Sequence, residues 1–146
     1  MTKQLVSDPT SGLFSEAMLT ALLPSRVATA RRTLRQLGLV LVRIDGPDAD
    51  QVATLVTAAI RDSDMAARLD DGTVALVLEF TPSEGCLIVV DRLRARTQRE
   101  HPEADVRAGI ACDPAPAISA DELVTVAREA LGRAAPGTAS VAPVPD

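Results

Sequence analysis

Hydrophobic and polar positions alternate between two periods along this chain. Leu39-Val40-Leu41-Val42-Arg43-Ile44-Asp45 is an almost unbroken apolar run, long enough for a central strand. Met65–Leu69 and Val74–Glu79 are two further strand-like runs flanking Asp70-Asp71-Gly72-Thr73. Asp-Gly between apolar runs is the strongest short-range hairpin signal here, because Gly72 accepts the positive φ of a tight turn. A last core strand is expected over Ala104–Ala111.

Helical spacing fills the intervals. Ser15 is placed to cap a helix running to Leu23, and a second is expected from Pro24 or Ser25 to Leu37, closed by Gly38. A third covers about Asp50–Ile60. A fourth starts at Thr81-Pro82-Ser83-Glu84, with Thr81 or Ser83 as cap, and runs to about Arg99. Leu87, Val90, Leu93 and Ile88 are its expected inward residues. The last helix, about Ala120–Ala134, begins with Ser119 and Glu122 as a capping box.

The core string is therefore β-α-β-β-α-β, a ferredoxin-like α/β (α+β sandwich) arrangement with a mainly antiparallel sheet flanked by helices. Residues 1–7 read as a flexible start, 8–135 as one domain, and 136–146 as a disordered tail rich in Pro and small residues.

Composition narrows the class. A chain of 146 residues with 47% hydrophobic residues can bury a core without staples. Phe14 and Phe80 are its sole aromatics, so that core is Leu, Val, Ile and Ala. A net charge of −5 argues against DNA or RNA as partner. No apolar run approaches the ~18 residues of a membrane span, and a cytoplasmic location is expected. Cys86 and Cys112 match no metal spacing and read as small core residues, reduced in the cytosol.

Candidate chemistry is sparse. Arg26, Arg31, Arg32 and Arg35 make one basic helix, and Arg92, Arg94, Arg96 and Arg99 another; both read first as solvated faces. His101 is the one histidine, and it falls in a loop without an obvious partner. Asp45, Asp70 and Asp71 could gather at one end of the sheet as a cation cluster, although acids are ordinary in tight turns. Arg61 and Asp64, just before the hairpin, are a potential recognition pair or a simple local ion pair.

The hairpin frame, Arg-Leu, five residues, then Ala-Leu-Val-Leu, resembles the signature hairpin of GGDEF domains, the diguanylate cyclases. Asp70, Asp71, Gly72, Thr73 and Val74 stand where that family writes Gly-Gly-Asp/Glu-Glu-Phe. Asp8, Ser11, Gly12 and Leu13 resemble its opening Asp-x-Leu-Thr-Gly-Leu, with Thr10 in place of Leu. Val106–Ala111 is similar to its Val-Ser-x-Gly-Ile-Ala strand. Leu123, Ala127, Ala130 and Leu131 are similar to its closing helix, where Arg128 replaces an Asp. The likeness covers about residues 8–137 and implies the same fold.

It also implies what has been lost. In the family, the first acid of an Asp-x-Asp strand end and the third signature residue hold the metal ions for phosphoryl transfer. Arg43 and Gly72 occupy those places, Asp45 keeps the second acid, and Gly46–Asp50 replaces a longer guanine-reading loop. The resemblance thus implies a catalytically inactive, degenerate domain needing no cofactor. What is kept is Arg61-Asp62-Ser63-Asp64, matching the family's Arg-x-x-Asp product site for cyclic di-GMP, with Arg92, or Arg94 as fallback, in the place of a third residue. An Arg fork can read guanine O6 and N7, and a carboxylate its N1–H and N2–H. A cyclic di-GMP receptor, bridging two copies as a dimer, is one expectation. The alternative is a nucleotide-independent module for a protein partner or self-association.

Overall fold

The computed structural model describes residues 7–9, 11–113 and 119–142. Its elements are β1 (Phe14–Ser15), α1 (Glu16–Arg32), β2 (Leu37–Asp45), α2 (Ala49–Ala59), β3 (Met65–Arg68), β4 (Val74–Leu78), α3 (Ser83–Glu100), β5 (Asp105–Asp113), α4 (Ala120–Arg133) and β6 (Ala139–Val141). One six-stranded sheet has the order β1-β3-β4-β2-β5-β6. β2 pairs antiparallel with both β4 and β5, and β3 with β4. The short edge strands β1 and β6 pair in parallel, which makes the sheet mixed. The inner order β3-β4-β2-β5 is that of the expected ferredoxin-like core.

Why β2 reads as a continuous apolar run is now plain. Leu37, Leu39 and Leu41 face a core built with Leu19, Leu23 and Val27 of α1 and Leu123 and Ala127 of α4. Val40 and Val42 face the opposite core, with Leu55 and Val56 of α2 and Val90 and Leu93 of α3. A strand covered on both faces has no side left for polar residues. On the first face α4 approaches so closely that a Cβ on Gly109 would overlap the backbone of Ala127 and Leu131.

Several expectations are corrected. The helix pair Ser15–Leu23 and Pro24–Leu37 is one helix with Pro24 inside it. Leu19, Leu23, Val27 and Ala30 form one buried stripe across the proline, and burial outweighs the single backbone bond Pro24 cannot make. That helix ends at Arg32, not Leu37. Leu34, at φ 56°, turns the chain, with the Arg35 N–H donating to the Ala30 carbonyl at 2.8 Å. Gly38 therefore lies inside β2 rather than closing a helix.

At α3 neither Thr81 nor Ser83 caps; the N-cap is Pro82, without a side-chain bond. Ile88 is 58% exposed instead of inward, and the buried stripe is Cys86, Val90, Leu93 and Thr97. Part of the expected tail is a strand, since Ala139–Val141 pairs with Ala108–Ile110. Ser7, expected in the flexible start, bridges Phe14. Residues 1–6, Thr10 and 143–146 lie outside the described residues. The Ser15 cap on Met18 N–H is as expected. Ser119 caps the Glu122 N–H, but the full capping box does not form, because the Glu122 carboxylate accepts from the Ser119 hydroxyl at 3.4 Å and not from its backbone N–H. No helix among the described residues is long and apolar enough to cross a membrane.

Candidate functional site

The β3–β4 hairpin has chemistry at both ends, separated by the length of β3, roughly 13 Å. Its turn is closed by the Leu69 N–H donating to the Thr73 carbonyl at 2.8 Å, with Gly72 at φ 88°. Positive φ at the third loop residue is what glycine supplies most cheaply. Beside the turn lies a cleft of about 260 Å³ that includes Ser11, Arg43, Asp45, Arg68, Asp71 and Gly72. β2 brings Arg43 and Asp45 to this end, and the hairpin brings Asp71 and Gly72.

The three acids do not converge as a cation cluster. No group of three or more acids, histidines or cysteines among the described residues is placed to hold a metal. Asp71 instead accepts from Arg128 at 3.0 Å and from the Thr73 N–H at 3.0 Å. Burial alone would raise its pKa, but the Thr73 N–H and then Arg128 outweigh it, and the carboxyl lies below its ordinary value. The Asp70 N–H is taken by Glu16 at 3.2 Å. Arg68 pairs with Asp8, whose carboxylate also accepts from the Ser11 N–H and hydroxyl at 2.8 and 2.7 Å.

At the other end Arg61 and Asp64 meet, as their spacing implies. Asp64 is buried, its side chain 2% exposed. It accepts from the Arg61 N–H at 3.0 Å, the Glu79 N–H at 3.0 Å, and the Arg61 guanidinium at 3.4 Å. Arg61 Nη2 donates to the Glu79 carbonyl at 2.6 Å and the Thr81 hydroxyl at 2.9 Å. The guanidinium is thereby held rigid with its side chain 60% exposed. It borders a cleft of about 280 Å³ with Thr57, Ile60, Phe14 and Ala66.

Arg92 is not brought into that cleft; it is exposed on the surface of α3. Arg94, the fallback, pairs with Asp91 at 3.4 Å. Two partners were missed from sequence. Arg26, expected on a solvated face, forms a 2.7 Å ion pair with Glu79, and Arg35 lies 4.9 Å over the Phe80 ring. Glu79 directly follows the wholly apolar β4, and nothing local in the sequence ties it to Arg26. His101 forms the C-cap of α3 through its backbone.

Comparison with solved structures finds GGDEF domains across most of the chain. The isolated GGDEF domain of TpbB (YfiN) from Pseudomonas aeruginosa is similar at TM-score 0.83 and 21% identity, over 94% of this chain and 95% of that one. The GGDEF domain of DgcB from Caulobacter crescentus, in complex with c-di-GMP, gives TM-score 0.80 and 17% identity over 94% and 93%. Diguanylate cyclase SiaD from P. aeruginosa, in complex with its activator SiaC, gives 0.80 and 18% over 93% and 61%. No family model matches, and no curated protein matches. At these identities the likeness shows the fold: this chain has the fold of GGDEF domains of diguanylate cyclases.

Proposed function

We propose that this chain is a non-catalytic GGDEF-like module that recognises cyclic di-GMP through Arg61. The observation that carries the reading is the Arg61 guanidinium, fixed by Asp64, Glu79 and Thr81 yet exposed at a cleft. Nε and Nη2 are engaged in those bonds, so Nη1 is the nitrogen left to donate to a guanine acceptor, already oriented by them. Asp64 contributes chiefly by orienting Arg61, because its own oxygens are engaged. One dinucleotide has two guanines, so it can bridge two copies of the chain. The DgcB domain supports the reading as a bearer of the same fold bound to that ligand.

The residues of the cleft at the hairpin turn support the non-catalytic reading. Arg43 stands at the β2 end where a metal-binding acid is required, and it repels a divalent ion. Gly72 supplies no second carboxylate.

The test is calorimetric titration of cyclic di-GMP, with GTP turnover assayed in parallel. Binding at micromolar affinity or tighter is expected, weakened roughly 10- to 100-fold in Arg61→Ala. No cyclic dinucleotide should form from GTP and Mg²⁺. A titration without heat, or GTP conversion by pure protein, overturns the corresponding half.

A second reading is nucleotide-independent docking of a protein partner. It is favoured by Leu34, Phe80 and Ile88, which are 93%, 46% and 58% exposed. Capture of a partner with unchanged affinity in the presence of cyclic di-GMP would support it.

A further inference from the structure

Cys86 and Cys112, distant in sequence, are neighbours across the sheet. Cys112 of β5 pairs in register with Gly38 of β2, so the two residues point to one face. The sulfur of Cys86, from the first turn of α3, lies over Gly38 in the space a Cβ there would need. Cross-strand Cβ positions are roughly 5 Å apart, which places the Cys86 sulfur within side-chain reach of Cys112. Neither cysteine is in a disulfide. Cys86 is fully buried, whereas Cys112 is half-buried and accepts a hydrogen bond from the Ser83 hydroxyl at 3.2 Å. The hydrogen bond to Cys112, then burial, pushes the Cys86 thiol far above its ordinary range. The difference in exposure makes Cys112 the sulfur an oxidant can reach, and leaves the buried Cys86 as the resolving one.

We infer that Cys86 and Cys112 form a reversible dithiol–disulfide pair that locks the start of α3 onto the end of β5. With a hydroperoxide as oxidant, the Cys112 sulfur attacks the peroxide oxygen and becomes a sulfenic acid, releasing water or an alcohol. The Cys86 sulfur then attacks the Cys112 sulfur, the S–O bond breaks, and water leaves with the Cys86 proton. Two electrons pass from the thiols to the peroxide, and an external dithiol returns them. The lock bears on the Arg61 end of the hairpin, since Cys86 also faces the Thr81 carbonyl and the Thr81 hydroxyl holds Arg61. The disulfide itself does not depend on cyclic di-GMP binding.

The folded chain is treated with hydrogen peroxide, alkylated, digested and read by mass spectrometry. The expected product is a monomer lighter by two hydrogen atoms, with Cys86 and Cys112 peptides linked and both thiols restored by dithiothreitol. Its Tm should rise by about 10 °C over the reduced form. Cys112→Ser should show no such shift. Sulfinic acid on Cys112 without a cross-link, disulfides only between chains, or two thiols that stay alkylatable would each overturn the inference.

Discussion

The Arg128 guanidinium on α4 lies 3.0 Å from Oδ2 of Asp71, tying the hairpin turn to the last helix. The resemblance places an Asp in the family helix at the Arg128 position, and a glycine at Asp71. The two substitutions meet in space and neutralise each other beside the cleft.

This pair has a pH signature. The folded Asp71 pKa is below its ordinary 3.8, so its contribution is complete above that value and is lost as pH falls through the folded one. The side chains are 42% and 44% exposed, and after solvent screening the pair contributes about 0.5 kcal/mol. Arg128→Ala should lower Tm slightly near neutrality, and the gap from wild type should close in the acid limb below pH 3.8. Thermal melts by circular dichroism across that range check this; a gap that widens in acid contradicts it.

Arg61 and Asp64 should separate stability from recognition. Asp64→Ala removes a buried acceptor and leaves the Arg61 and Glu79 N–H groups without their partner, a cost of about 2–4 kcal/mol. Arg61→Ala trims a side chain that is 60% exposed and should cost about 1 kcal/mol or less. Urea denaturation measures both. Equal losses would mean that Arg61 is mainly structural.

Leu34 closes α1 at φ 56°, a conformation that strains a side chain with a Cβ, and it is 93% exposed. Leu34→Gly should therefore stabilise the fold by about 0.5–1 kcal/mol, with Tm a few degrees higher. A fall in Tm would contradict the strain assigned to Leu34.

The hairpin, the central strand, the order of the core elements and the pairing of Arg61 with Asp64 were all legible in the chain. Each follows from neighbours in the chain: a turn residue between apolar runs, a period of two, an i,i+3 spacing. Pro24 shows the limit of that local reading. Its ring is a strong break signal, yet four buried residues on one stripe of α1 outweigh it, and only the packed sheet makes that burial available. Gly38 likewise reads as a helix stop, whereas the sulfur of Cys86 overhead explains its place within β2. Packing, by contrast, set Asp71 against Arg128, brought Arg26 to Glu79, and left Arg92 apart from the Arg61 cleft. Those relations join residues from different elements, and no local period or propensity encodes the distance between two elements until a core holds them together.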